Sequence, residues 1–166
     1  MITQFRREHF YLSNMFPLET YIPTNLGILV PSSEHVYMAD RFVDPELQVI
    51  IANARGPVGD TRAYADGLAA KNLAHEYIKN GAEQLAEWDV AKIGVMYIAV
   101  SRKFRANLAI ADMLIATDQE ELVEGNDWED RFWGVDPPGS TNGENNLGKI
   151  LMRVRSELVL ALGTDV

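Results

Sequence analysis

Three short clusters in this chain combine the side chains that hold flat, polar, phosphate-bearing ligands. They are Ser32-Ser33-Glu34-His35-Val36-Tyr37, Asp130-Arg131-Phe132-Trp133-Gly134 and Asn142-Gly143-Glu144-Asn145-Asn146-Leu147-Gly148. Each sets a carboxylate or carboxamide at a loop–helix junction, beside an aromatic ring or a glycine. Residue by residue, they point to a nucleotide or sugar-phosphate site.

Glu34 carries the chemistry in this reading. It falls in the first turn of a predicted helix, where the helix dipole favours a carboxylate. From there it can lend charge to a reacting centre or activate a water; an ordinary helix start has the same pattern. Arg41 follows seven residues later. At 3.6 residues per turn the two share one helix face, about 10 Å apart along the axis, and Arg41 can reach back toward an anion near Glu34. His35 lies one residue off that face and fits a packed, hydrogen-bonded role as well as a ligand contact. With His9 and His75 isolated and no paired histidine motif, a zinc site is not expected. Trp133-Gly134 can wall a base-stacking surface, or pin a long loop to the core. Asn142 to Gly148 places three carboxamides around two glycines ahead of a helix. Backbone N–H groups there can hold phosphate, and Asn145 or Asn146 can serve as a cap. Lys103 and Arg105 near the end of a long helix suit its C-terminal dipole.

The elements that position these groups follow from punctuation and periodicity. Up to about residue 30 the chain reads as extended, with Leu18 to Ile22 and Ile28 to Val30 flanking a hairpin connection at Pro23–Gly27. Ser32 or Ser33 caps a helix to about Val43. Asp44-Pro45 starts another, a capping residue followed by proline at the first helical position. Arg55 to Asp60 is a break. Weaker helical pieces follow between Thr61 and Ala86. Asp89 caps the strongest helix, to about Arg105, with Ile93, Met96, Tyr97, Val100 and Phe104 on one face. Asn107 caps the next, through Ala116. A short strand is expected at Glu121 to Glu124, then a loop from Asn126 to Asn146, then a last helix ending at Gly163. The class is α+β: a mainly helical single domain, residues 1–166, with a small N-terminal sheet or hairpin.

Composition excludes several classes. The chain has 166 residues, 47% hydrophobic, which suits one globular domain with a sizeable core. It has no cysteine, hence no disulfide, thiol nucleophile or thiolate metal site, which fits a reducing, cytoplasmic setting. No signal peptide or transmembrane run is read. A net charge of −9 argues against an extended nucleic-acid interface. Phosphate-loop, dinucleotide-fold and nucleophile-elbow motifs are absent.

Taken in order, the clusters resemble the NADAR family. The resemblance begins at Tyr11-Leu12-Ser13-Asn14-Met15-Phe16 and runs through Ser33-Glu34-His35-x-Tyr37. It continues through Trp88, Val95-Met96, Lys103-Phe104, Leu114-x-x-Thr117, Leu122-Val123-Glu124 and Asp130-x-x-Trp133-Gly134. It closes on Asn142-Gly143-x-Asn145-x-Leu147-Gly148-x-x-Leu151-Met152-x-x-Arg155. The family comprises small α+β proteins, among them N-glycosidases of early riboflavin-pathway intermediates and enzymes that remove ADP-ribose from guanine in DNA. The resemblance therefore implies hydrolysis of a C1–N glycosidic bond. Its substrate would be a small nucleotide or ribose phosphate, or an ADP-ribosylated nucleobase in DNA, and it needs no cofactor or metal. It implies a site in which Glu34, Arg41 and Asn145 take part in catalysis. Ser13, Asn14, His35, Trp88, Lys103, Asp130, Trp133, Gly134 and Asn142 would contact substrate. One position departs from the family. The motif usually runs Glu-His-x-x-x-x-x-Lys-Phe, whereas this chain has Arg41 before Phe42. A guanidinium keeps the charge but forms no imine at neutral pH. The departure leaves three alternatives: a non-covalent mechanism through Glu34, a substitute lysine such as Lys103, or binding without turnover. A helical interaction domain, with the clusters as caps and loop anchors, is the reading from another class.

Overall fold

The computed structural model describes residues 1–163. It is mainly helical, with one two-stranded antiparallel sheet. Two compact units are found, residues 14–107 and residues 1–13 together with the chain from 108 onward.

In the 14–107 unit, β1 (Ile22–Pro23) pairs antiparallel with β2 (Leu29–Val30), Ile22 opposite Val30. The expected hairpin is present, but its strands are two residues each. Pro23 lacks the N–H that would extend the ladder. Four helices follow: α1 (Ser33–Asp40), α2 (Pro45–Ala52), α3 (Ala65–Lys79) and α4 (Trp88–Ala106). Every residue of α1 is buried, and it packs against α2, α3 and α4. Its polar side chains are therefore enclosed and need partners.

Ser32 caps α1, its hydroxyl accepting from the His35 amide, and Asp44 caps α2 ahead of Pro45, both as their residue types dictate. Helix α1 ends at Asp40 rather than near Val43. The next three residues pair instead with the segment before α4: Leu85 N–H donates to Arg41 O at 2.9 Å, and Val43 N–H to Glu83 O at 3.2 Å. Phe42 and Gln84 form the antiparallel bridge between them. The stretch expected to hold weak helical pieces contains one 15-residue helix, α3, whose buried Ala65, Gly67, Ala70 and Ala74 form a small-residue face. Helix α4 begins at Trp88, with Glu87 as a left-handed N-cap, so Asp89 lies inside the first turn instead of capping. Met96, Val100 and Phe104 are buried as expected, joined by Ala99 and Lys103, whereas Ile93 is 42% exposed.

In the other unit, residues read as extended form a short 3-10 helix, Arg7–Leu12, which buries Tyr11 and Leu12. Helix α5 spans Leu108–Ala116 and α6 spans Asn146–Gly163. Leu147, Ile150, Leu151 and Val154 give α6 one buried stripe at helical spacing. Burying each such side chain contributes on the order of 2 kcal/mol. Arg155 on α6 donates to Thr117 Oγ1 at 2.7 Å and to Glu120 O at 2.8 Å, fixing the turn after α5. The strand expected at Glu121 to Glu124 is instead two isolated parallel bridges, Ile2 with Leu122 and Gly125 with Val135. Single residues meet there, so no ladder propagates. Asn107, the last residue of the 14–107 unit, does not cap α5 with its side chain: its carboxamide accepts from Thr20 N–H at 2.9 Å and donates to Thr20 O at 3.0 Å within that unit. Among the described residues, no helix is long and apolar enough to cross a membrane.

Candidate active site

The polar centre of the 14–107 unit is the start of α1. Glu34 is 6% exposed, and its N–H donates to Asn14 O at 3.1 Å. The Ser33 hydroxyl donates to Asn14 Oδ1 at 2.9 Å, and Asn14 Nδ2 contacts Met96 Sδ at 3.2 Å. Asn14 thus clamps the first turn of α1 and ties it to α4. Arg41, at the C-cap of α1, is 9% exposed. Its guanidinium carbon lies 4.6 Å from the Trp88 ring centre and 5.5 Å from that of Tyr37. The two rings are 5.5 Å apart. Burial lowers the Arg41 pKa, while Tyr37 and Glu34 act in the opposite direction. A guanidinium stays charged through such a shift, so the aromatic faces hold a permanent cation.

His35 is fully buried, with Nδ1 2.7 Å from Ser32 Oγ and Nε2 2.8 Å from Ala54 O. A carbonyl only accepts, so Nε2 carries the proton and the Ser32 hydroxyl donates to Nδ1. Arg55 Nη1, 3.4 Å from Nε2, is then a nearby charge and not a hydrogen-bond donor to it. Burial is the main cause that pushes the His35 pKa down to about 4; the Ala54 carbonyl opposes it, Arg55 adds to it and Asp66 opposes it. His35 therefore braces the α1 start as a neutral ring. Lys103 is also fully buried, its ammonium 5.0 Å from the Phe104 ring centre and 5.7 Å from that of Phe16.

In the other unit, the loop before α6 organises around Asn126, which is 0% exposed. Its Oδ1 accepts from Asp130 N–H at 3.0 Å and its Nδ2 donates to Asp130 O at 2.7 Å. Asp130 Oδ1 in turn accepts from the amides of Phe132 and Trp133, at 3.2 and 2.9 Å. Trp133 is half-buried and meets Phe132 edge-on, centres 4.8 Å apart. Ser13 is half-buried at the C-cap of the 3-10 helix. Asn142 is exposed and donates to Asp136 O at 3.0 Å. Gly134 is buried where a Cβ would run into Glu124 O, so the turn there admits no side chain.

Asn145 precedes α6 with a left-handed φ of 52°, and its carbonyl accepts from Lys149 N–H, but its side chain bonds elsewhere than to the helix amides. Its carboxamide donates to Leu122 O at 2.9 Å and accepts from Glu124 N–H at 3.0 Å. It thereby imitates a peptide group on the edge of the 122–124 segment. The amides expected to hold phosphate are already used: Asn145, Asn146 and Leu147 donate to the carbonyls of Gly134, Phe132 and Trp133. Two residues that sequence reasoning missed, Asn126 and Gln84, organise these neighbourhoods. Gln84 was illegible because its partner Arg41 lies 43 positions away. Asn126 bonds locally to Asp130 and Trp128, and its position ahead of the 130–134 cluster was the signal that could have found it. Among the described residues, no group of three His, Asp or Glu side chains is arranged to hold a metal.

A family model, the NADAR domain, matches residues 3–159. The chain belongs to the NADAR family. It is 35% identical over 150 residues to a riboflavin biosynthesis protein of Vibrio vulnificus, covering 90% of this chain but 36% of that protein. It is 31% identical over 130 residues to the N-glycosidase YbiA of Escherichia coli, covering 78% of this chain and 71% of the relative. The solved structure of E. coli YbiA matches with a TM-score of 0.73 at 24% identity, over 97% of this chain and 88% of that one, which shows the NADAR fold. Relatives named as N-glycosidases place an N-glycosidase role at the level of the family.

Proposed function

We propose that this protein is an N-glycosidase that hydrolyses the C1–N bond of a phosphoribosyl or ADP-ribosyl substrate. The observation that carries the reading is a buried carboxylate, Glu34, in the first turn of α1, on the helix that ends in a cation held by Tyr37 and Trp88. Cleavage develops positive charge at C1 as the base departs with the bonding electrons. Glu34 stabilises that charge or takes a proton from the attacking water, and the departing nitrogen ends protonated. Arg41 supplies positive charge for a substrate phosphate. Its guanidinium forms no imine, and Lys103 is sealed among aromatic rings, so the proposed route is non-covalent.

Asn14 holds the catalytic turn, and His35 supports it from inside. Trp88 bears on the substrate through Arg41. Trp133, with Ser13, Asp130, Gly134 and Asn142, is carried as a ligand contact by the family resemblance, and Asn145 as a catalytic residue. Asn145 acts by shaping the 122–124 segment rather than by touching the reacting bond. One family model runs through both units, which supports reading the chain as one functional domain. The name of one relative, a riboflavin biosynthesis protein, supports the riboflavin-pathway branch of the family resemblance, in which the substrate is a ribosylaminopyrimidine phosphate. The absence of cysteine fits a reducing, cytoplasmic compartment.

The deciding experiment is incubation with ribosylaminopyrimidine phosphate and, separately, with ADP-ribosylated guanine in DNA. The expected products are free aminopyrimidine and ribose phosphate from the first, or free ADP-ribose and unmodified DNA from the second. Saturable binding without release from either would instead identify a non-catalytic nucleotide-binding protein, an alternative that the arginine at position 41 leaves open.

A further inference from the structure

We propose that Gln84 is a positioning residue. Its side-chain carbonyl fixes the Arg41 guanidinium against Trp88 and so aims the remaining N–H groups of Arg41 at an anionic substrate oxygen. This inference rests on the glycosidase reading above and names the device that sets its anion contact.

Arg41 donates twice to one oxygen, from Nε at 3.0 Å and from Nη2 at 2.8 Å, both to Gln84 Oε1. Its Nη1 meets Met38 Sδ at 3.3 Å. A guanidinium carries five N–H groups, and these three contacts leave two, one on each terminal nitrogen. Two parallel N–H groups on the terminal nitrogens form the fork that matches phosphate or carboxylate oxygens. The anchor is rigid because the backbone sets it. The Phe42–Gln84 bridge is flanked by Leu85 N–H to Arg41 O and by Val43 N–H to Glu83 O. The chain positions of Arg41 and Gln84 are thus locked together before their side chains meet. Four residues beyond Gln84, Trp88 begins α4 and covers the guanidinium face at 4.6 Å.

The choice of glutamine has a consequence. A neutral carboxamide fixes the guanidinium and leaves its full positive charge for a ligand. A glutamate at the same point would hold it equally well and cancel that charge. Arg41 without an acceptor would still stack on Trp88, but its fork would rotate and lose direction, which weakens a phosphate contact more than it weakens the fold.

The test uses the intact chain labelled with nitrogen-15 and three variants, Gln84→Leu, Gln84→Asn and Gln84→Glu. The first readout is the Arg41 Nε–H resonance, assigned by its loss in Arg41→Lys. The second is the affinity for ribose 5-phosphate. Leucine, which lacks an acceptor, and asparagine, which is too short, are expected to move the resonance toward that of a solvent-exposed arginine. Both should weaken ribose 5-phosphate about tenfold. Glutamate is expected to keep the resonance in its native environment yet weaken the ligand as much, which separates charge from geometry. Should Gln84→Leu fail to fold, the asparagine and glutamate variants carry the same comparison. An unmoved Arg41 resonance in the leucine and asparagine variants would overturn the proposal. So would a moved resonance with ligand affinity unchanged. If native protein ignores ribose 5-phosphate at several millimolar while the resonance still responds to Gln84, the substrate reading fails and the anchoring of Arg41 stands.

Discussion

Glu34 and Arg41 mark the two ends of one short buried helix, and their contrast decides the chemistry proposed. A carboxylate sealed at 6% exposure is retained at a cost in desolvation, which a surface cap would not incur. Glu34→Gln keeps the shape and removes the charge. It is expected to lower kcat by at least about 10² while the circular dichroism spectrum stays native, since an electrostatic or base role is worth that much. Native kinetics in this variant on a confirmed substrate would remove Glu34 from the mechanism. Arg41→Lys restores a group able to form an imine at the position where the family usually has lysine. It is expected to retain or raise activity, and borohydride added during turnover should trap a mass adduct on the variant and none on the native chain. An adduct on the native protein, at Lys103 or elsewhere, would replace the non-covalent route by a covalent one.

At the scale of elements, glycines in helices report what each helix packs against. Gly148 lies in the first turn of α6, where a Cβ would collide with Leu122 O and with the Asn145 carboxamide. Gly94 lies within α4, where a Cβ would meet nothing within 4 Å. Gly148→Ala should therefore destabilise, by about 1–3 kcal/mol, because it displaces a hydrogen-bonded carboxamide and strands Glu124 N–H and Leu122 O. Gly94→Ala should stabilise by about 0.5–1 kcal/mol, through helix propensity and a less flexible unfolded chain. Urea unfolding of both variants measures the pair. Equal effects of one sign would show that the Asn145 clamp does not constrain the start of α6.

For the whole molecule, His35 couples stability to pH. Its pKa is about 4 in the folded protein against an ordinary value of 6.5. Between those values the unfolded chain binds a proton that the folded protein refuses. The contribution of His35 is thus complete above pH 6.5 and is lost as pH falls through 4. The shift corresponds to roughly 3 kcal/mol, at 1.36 kcal/mol per pH unit. As pH is lowered from 7 to 4, unfolding free energies should fall more steeply for the native protein than for His35→Asn, which cannot titrate. Parallel curves would mean that the ring is not held neutral by burial and by the charge of Arg55.

Local signals in the sequence were enough for what depends on a few consecutive residues. Ser32 and Asp44-Pro45 mark the helix starts they predict, because a cap needs only its own oxygen and the next amides. The helical class, the short hairpin and the extent of the last helix follow from spacing and punctuation, and the ordered motifs sufficed for the family. What tertiary structure decided is where each polar group spends its hydrogen bonds. Asn145 looks like a cap and serves as a surrogate peptide on the 122–124 edge. The amides around it look open to phosphate and are taken by the carbonyls of residues 132–134. Arg41 looks like a surface arginine until Gln84, 43 positions along the chain, fixes it as a cation against the faces of Trp88 and Tyr37. A side chain's partners are chosen by which segments folding brings within about 3 Å, and residue type and spacing along the chain carry no record of that distance.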